Sequence, residues 1–427
     1  MVMSLDTGDA GVFVPAPGAR RGVAALCTVY RPRSHADVIV SKLLGDYSWP
    51  HVYDRDALDY GETVRTLTET PLPTDIDGRI RRPRVAVASM FIDQFPENDL
   101  SRGWSERTGV PILPSIRDAI TLGTDTIAVN GVLIIGEHGE YPLNARGQRL
   151  YPRRAWFDAV ADVFEELGSV VPVFIDKHLG VGWEDARAIF DRAARLGIPL
   201  MAGSSVSTAP VSWRSPRVDI PIGTQIHRAV VVSPPPLEAY GFHALEALQC
   251  IMERRHGGES GIASVQCLVG EDAWNAMDRG AWERSLMQAA LQVCDRATPG
   301  DARSLAPDAS AFLINYRDGT RAMAMIPETV TPQWAIAADV TLPGADTVSR
   351  IAFRFGMGTQ EPFSHFAWLI EGVQDMIETG VPTVPAIRTL LTTGALDFLM
   401  ASHEAGGVPI DTPQLHISYA PSATVER

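Results

Sequence analysis

The chain has 427 residues, 45% of them hydrophobic and 21% charged, with a formal net charge of −14. At roughly 100–200 residues per domain, this length makes two or three domains with a sizeable core. The acidic balance disfavours nucleic acid, whose binding rests on phosphate neutralisation, and disfavours adsorption to anionic membranes.

Residues 1–20 read as a flexible tail rich in Gly, Pro and Ala. "GVAALCTVY" (22–30) predicts a strand, and "SHADVIVSKLL" (34–44) has apolar residues at helical spacing. Residues 46–82 are polar and Pro-rich, a long insertion. "RVAVASMFI" (84–92) predicts the next strand, followed by a short helix that Gly109 closes. A helix over 115–123, a buried strand over 131–136 and an amphipathic helix over 153–168 come next. "VPVFI" (171–175) and "IPLMAGSS" (198–205) are strands separated by a helix over 182–197. Alternating helices and near-continuous apolar strands imply a parallel sheet covered on both faces.

After about Trp213 the texture changes. "QIHRAVVVS", "ASVQCLVG", "AFLINYR", "TRAMAMI" and "SRIAFRF" read as strands at hairpin-like spacing, with a tight turn between Tyr316 and Arg321. Helices are expected around 240–256, 279–296 and 385–406. The fold class is therefore α/β: a Rossmann-like, doubly wound parallel sheet, then an α+β domain with a mostly antiparallel open sheet. The domains expected are 21–212 (with the 46–82 insertion) and 213–384, then a C-terminal helix and tail over 385–427.

Cys27, Cys250, Cys267 and Cys294 sit in apolar neighbourhoods with no C-x-x-C pair, so free buried thiols in a reducing compartment are expected. The N-terminus carries acidic residues where a signal peptide needs basic ones. The strongest apolar run, "TIAVNGVLIIG", is well short of the ~20 residues that span a bilayer. These features read as cytoplasmic.

Ligands of open parallel sheets bind beyond the carboxyl ends of the strands. Here those ends carry "TVYRPRSH", "DQFPEND", "GEHGEYP" and "DKHLG". They deliver Tyr30, Arg31, Arg33, His35, Asp93, Glu97, Glu137, His138, Glu140, Asp176, Lys177 and His178 toward one crevice. Lys177 suits a general acid or base, or a structural salt bridge. Tyr30, Arg31, Arg33, His35 and Asp93 suit substrate or cofactor binding; for Tyr30, Arg31 and Arg33 a solvated loop is the equal alternative, and for His35 capping or packing of the first helix is the commoner role. His138, Glu137 and His178 could ligate a divalent metal, though no H-x-x-x-H or H-E-x-x-H spacing supports it. "YPRR" (151–154) reads as an exposed helix start, and "GSSVSTAP" (203–210) as a small-residue linker.

The order of these pieces resembles the glucose–fructose oxidoreductase/inositol dehydrogenase (Gfo/Idh/MocA) family, over most of residues 21–255 and more loosely in the C-terminal helix. The family's Glu-Lys-Pro segment is similar to Asp176-Lys177-His178, and its G-x-H-x-x-D helix to Gly241, His243 and Glu246. The resemblance implies that Lys177 and His243 are a proton-handling pair, with Asp176 beside them and Glu246 on the substrate side. It also implies NAD(P) and a homo-oligomer assembled through the open face of the second sheet. The glycine-rich turn of the family is absent: Cys27, Val29 and about Pro32 stand where its glycines would be. Pro lacks an N–H and a β-branched Val blocks close approach to a pyrophosphate.

Three functions follow as expectations. The first is acid–base chemistry by Lys177 and His243 on a polyhydroxylated or keto-sugar-like small molecule (elimination, hydration, isomerisation or epimerisation), metal-assisted or not. The second is an NAD(P)-dependent sugar or cyclitol oxidoreductase. The third is a non-catalytic ligand-binding protein.

Overall fold

The computed structural model describes residues 20–48, 80–208, 210–357, 363 and 365–421. The expected tail before residue 20 and most of the 46–82 insertion lie outside the described residues. The first lobe runs β1 (Arg21–Val29), α1 (His35–Leu44), β2 (Tyr47–Ser48), β3 (Ile80–Arg81), β4 (Val85–Gln94), α2 (Ser101–Thr108), α3 (Ile116–Thr121), β5 (Gly131–Ile135), α4 (Arg153–Leu167), β6 (Val173–Asp176), α5 (Trp183–Leu196), β7 (Leu200–Gly203) and α6 (Ser205–Thr208). Its sheet is wholly parallel, in the order β4-β1-β5-β6-β7. β2 and β3 pair antiparallel at the base of the insertion.

The local causes are visible in the sequence. Val23–Cys27, Val132–Ile135 and Val173–Ile175 are buried on both faces, as a covered parallel strand requires. Ser34 and Ser115 cap α1 and α3 through their hydroxyls, and Gly109, Gly168 and Gly197 end helices in the left-handed conformation. α5 buries Trp183, Ala186, Ile189 and Ala193 on one stripe.

The second lobe holds β8 (Arg214–Ser215), β9 (Gln225–Val232), α7 (Leu237–Met252), β10 (Ile262–Val269), α8 (Glu271–Asp278), α9 (Arg284–Gln292), α10 (Ala302–Leu305), β11 (Ser310–Tyr316), β12 (Arg321–Ile326), β13 (Ala335–Thr341) and β14 (Ser349–Phe355). Then come α11 (Phe366–Thr379), α12 (Ala386–Glu404) and β15 (Ile410–Asp411). The second sheet has the order β15-β10-β11-β12-β9-β13-β14-β8, antiparallel except for the β12–β9 pair. The expected hairpin at residues 316–321 joins β11 and β12.

Several elements differ from the sequence reading. The helix expected over 279–296 is the shorter α9, because Gly280 (φ +77°) makes a turn ahead of it; α8, on the other side of that turn, was missed. β13 was missed because "AIAADVT" is alanine-rich and carries little strand propensity. α11, also missed, packs against α1 and α6 and so covers a face of the first sheet.

One core is continuous between the lobes. α12 packs on α5 and β7 on one side and on α7 and β10 on the other. Each large apolar side chain fully buried there stabilises by about 1.5–3 kcal/mol. Gly241 lets α7 lie close on the second sheet: a Cβ there would meet Phe312 at 2.7 Å. The opposite face of that sheet, which the family resemblance leaves for assembly, is covered by this chain's own helices. Trp274, Trp282, Leu286 and Met287 pack there on Val230, Val232, Met323 and Ala335. All four cysteines are free and buried. Among the described residues, no helix is long and apolar enough to cross a membrane.

Candidate active site

The carboxyl ends of β1, β5, β6 and β7 lie side by side, and α7 closes over them. Lys177 follows β6 directly. It has a left-handed backbone (φ +63°), and its N–H donates to Gly203 O (3.1 Å). Its ammonium donates to Glu137 Oε2 (3.1 Å), at the end of β5. Glu137 Oε1 accepts from Arg153 Nη2 (2.6 Å), at the start of α4. Thr28 Oγ1 fixes the Glu137 carbonyl (2.7 Å). Burial pushes the Glu137 carboxyl up, but the Lys177 and Arg153 charges outweigh it and hold the group well below the usual carboxylate range. Glu137 is thus a buried anion clamped between two cations.

Asp176, the last residue of β6, accepts from or shares a proton with His35 Nδ1 (2.5 Å), at the first turn of α1. His138, also left-handed (φ +66°), receives the His35 N–H on its Nδ1 (3.2 Å) and donates its own N–H to Tyr151 OH (2.9 Å). Burial, then the His35 charge, lowers His138 to about 3. His178 packs on Phe242 (ring centroids 4.2 Å apart). Both its ring nitrogens, and Arg153 Nε, are buried without a hydrogen-bond partner. Buried polar atoms are nearly always paired, so these unpartnered atoms make the crevice a candidate for ligand binding. His178 Nε2 lies 3.6 Å from Glu238 Oε1 on α7. Burial, then repulsion from Glu137, raises Glu238 to about 7.

His243 arrives from α7. Its Nδ1 is 2.6 Å from Ser204 Oγ, just beyond β7. Burial, followed by the Lys177 and His35 charges, holds it well below its ordinary value. Lys177 and His243 therefore face one electrostatic environment from two different layers.

The remaining predicted residues divide. Arg31 is half-buried and its charge acts on His138. Tyr30 is fully buried under α1, its hydroxyl 2.7 Å from Ser41 Oγ. Arg33, Glu97 and Glu140 are exposed. Asp93 is exposed too and accepts from Tyr141 OH; with Gln94 it pins the 138–141 loop to the end of β4. Glu246 is fully buried: its carboxylate accepts from Thr392 Oγ1 (2.6 Å) and Ser207 Oγ (3.2 Å), which ties α7 to α12 and α6. The proposed metal set needs correction. Both Glu137 oxygens are engaged by cations, and among the described residues no three His, Cys, Asp or Glu groups converge as a metal site.

Ser204 and Arg153 escaped sequence reasoning. Ser204 lay in a stretch read as a linker, although it follows a fifth strand end, where the same rule applies. Arg153 was read as an exposed helix start, but it is buried against Glu137. Glu238, five residues before His243, carries no signature of its own.

The β1–α1 turn does not fit a pyrophosphate. The amides of Arg31 and Asp37 donate to Ser34 Oγ (3.2 and 3.3 Å), that of Arg33 to Asp37 Oδ2 (2.8 Å), that of Ser34 to Arg31 O (3.0 Å) and that of His35 to His138. The donors that cradle phosphate in a dinucleotide fold are bonded within the protein.

No family model matches the sequence, and a search of curated proteins returns no match. Solved structures do share the fold. GenD2 from gentamicin A biosynthesis, in complex with NAD, superposes with a TM-score of 0.53 at 14% identity, over 93% of this chain and 99% of that one. An oxidoreductase from Agrobacterium radiobacter, in complex with NAD+, L-tartaric acid and magnesium, gives 0.50 at 12% identity, over 92% and 98%. The likeness is one of fold: the chain has the architecture of the Gfo/Idh/MocA-type NAD-binding oxidoreductases.

Proposed function

We propose that the chain is an enzyme that moves protons at a hydroxyl or carbonyl carbon of a small polyhydroxylated or keto-sugar-like substrate. Lys177 and His243 are its acid and base. The carrying observation is the Glu137–Lys177 pair together with a buried His243 on which the Lys177 charge acts, and both His178 nitrogens buried without a partner. Glu137 keeps the Lys177 ammonium oriented, so that it donates to a substrate oxygen. His243, positioned by Ser204, exchanges the proton of a neighbouring hydroxyl.

With the phosphate-cradling amides bonded internally, proton transfer beside a carbonyl is the chemistry we favour. The second reading is an NAD(P)-dependent oxidoreductase acting on a sugar or cyclitol. The shared fold supports it: both neighbours above are described as bound to NAD or NAD+, and neither is described as a lyase or isomerase. Calorimetric titration with NAD+ and NADP+ separates the two. Tight binding abolished by substitutions over residues 31–35 establishes the oxidoreductase; no binding leaves proton transfer. The partners proposed are the small-molecule substrate and a second copy of the chain, docked elsewhere than on the face covered by α8 and α9, with neither nucleic acid nor membrane.

A further inference from the structure

The bond between Asp176 and His35 joins residues 141 apart in sequence, one closing β6 and the other opening α1. Asp176 is 1% exposed and His35 9%. In the neutral imidazole, a carboxylate on Nδ1 selects the tautomer with the proton on that nitrogen and leaves the lone pair on Nε2. Among the described residues, Nε2 of His35 makes no hydrogen bond, yet it is not one of the buried unpartnered atoms, as both nitrogens of His178 are. It therefore retains access to solvent.

The ring is held on its other sides. His138 lies 5.2 Å away, tilted by 51°, and Phe366 5.3 Å away, edge-on at 86°. The His35 N–H is bonded to the His138 ring. One orientation of the imidazole is thus fixed by α1, β6, the loop after β5 and α11 together, the preorganisation that an acid–base group needs. The helix start that lines a phosphate in a dinucleotide fold here presents an imidazole.

We propose that Asp176 and His35 form an acid–base dyad: His35 Nε2 takes the proton from the carbon beside the substrate carbonyl, and Asp176 is its positioning residue. The inference rests on the proton-transfer reading above. The step balances within the site. The C–H bond breaks, its proton goes to Nε2, its electron pair becomes the C=C bond of an enol, and the carbonyl oxygen takes a proton from the Lys177 ammonium. Return of the proton from Nε2 to the same carbon, with the enol O–H proton going back to the Lys177 amine, completes an exchange. Its return to the former carbonyl carbon, with His243 taking the neighbouring hydroxyl's proton and solvent resetting His243 and Lys177, completes an isomerisation.

Two measurements on the full chain test it. With 15N-labelled histidine, two-bond 1H–15N correlation spectra report each tautomer. His35 is expected as the Nδ1–H form in the wild type and should lose that preference in Asp176→Asn. An Nε2–H tautomer in the wild type, or an unchanged spectrum in Asp176→Asn, overturns the dyad without reference to any substrate. The second measurement follows exchange of carbon-bound protons into D2O for D-fructose, dihydroxyacetone and 2-keto-myo-inositol. If the wild type exchanges one of them, His35→Gln should slow it about 10²–10⁴-fold, and Asp176→Asn at least about tenfold by misplacing the tautomer. Full activity in His35→Gln overturns the proposal. If the wild type exchanges none of the three, proton transfer fails as the function; the dyad then stands or falls on the tautomer spectrum.

Discussion

The two ends of α7 carry buried charge arranged in opposite ways. Past its C-terminal end, Arg255 donates Nε to Asp318 (2.5 Å), Nη1 to Glu259 Oε2 (3.0 Å) and Met252 O (2.7 Å), and Nη2 to Glu259 Oε1 (2.9 Å) and Ser260 Oγ (2.9 Å). Glu259 also accepts from Gly261 N (2.7 Å) and Gln249 Nε2. That cluster is closed, with every charge answered inside the protein. Facing the N-terminal end, the Glu137–Lys177–Arg153 cluster leaves Arg153 Nε and both His178 nitrogens unanswered. Arg33, His138 and Lys177 also supply three of the five non-glycine residues with positive φ among those described. Strain and unpaired polar atoms persist where binding or chemistry uses them. A buried charge is thus weak evidence for function until its partners have been counted.

The closed cluster should break hardest. Glu259→Gln removes the fully buried carboxylate from the Arg255 guanidinium and leaves Asp318, whose side chain is 30% exposed, as its remaining carboxylate. Losing the buried partner of such a pair costs about 3–5 kcal/mol. Urea unfolding should show that loss, while the folded fraction keeps its turnover per molecule. A loss of turnover with unchanged stability would erase the distinction between the two ends.

Lys177→Met should do the reverse. Glu137 retains Arg153, so the buried anion stays paired and stability should move by no more than about 1 kcal/mol. Turnover in the D2O exchange assay should fall about 10²–10⁴-fold. A large loss of stability with turnover retained would make Lys177 a structural residue.

The open end of this contrast was largely legible in the sequence; the closed end was not. Apolar runs followed by polar strand ends placed Asp176, Lys177, His178, Glu137 and His138 together, because a parallel sheet leaves its carboxyl ends in one row. The resemblance of the α7 segment placed His243 opposite them. The sequence could not tell which polar residues turn inward. Tyr30 follows a strand end yet sinks under α1, because a large aromatic side chain there gains more from burial than from the crevice. Glu246 looks like a substrate group at helical spacing from His243, but Thr392, 146 residues away, claims its carboxylate. Arg153 looks like a surface helix start until Glu137 is seen beside it. Partners distant along the chain carry no local pattern, and neither did the alanine-rich strand β13.

Glu238 offers a smaller test of the open end. Its carboxyl, raised to about 7 from an ordinary 4.5, keeps its proton in the folded state where the unfolded chain has lost it. The folded state then binds more protons between those values, so its contribution weakens stability as pH rises from 4.5 to 7. The full penalty above pH 7 is up to about 3 kcal/mol, at 1.36 kcal/mol per pH unit. Glu238→Gln should therefore be more stable than the wild type in urea at pH 8, with the two converging toward pH 4.5. Equal stability at pH 8 would place Glu238 in the solvent rather than over His178.

The smallest expected effect has the opposite sign. His138 is lowered to about 3, by burial first and the His35 charge second, against 6.5 in the unfolded chain. Between those values the unfolded state binds the extra proton. Stability from this group is therefore complete above pH 6.5 and drains as pH falls toward 3. Between pH 6.5 and 5 the loss is about 2 kcal/mol. His178 and His243, also held well below their ordinary value by burial, act in the same direction, whereas Glu238 opposes them. The closed cluster at the far end contains no histidine, so acid should loosen the crevice first. Amide hydrogen exchange at pH 5 should rise in the loop after β5 and at the start of α1 before it rises around Arg255. His138→Asn should remove about 2 kcal/mol of the pH 7.5-to-5 difference in urea. An unchanged difference would mean that the His138 ring is hydrated, and that its bond to the His35 N–H does not hold the start of α1 in place.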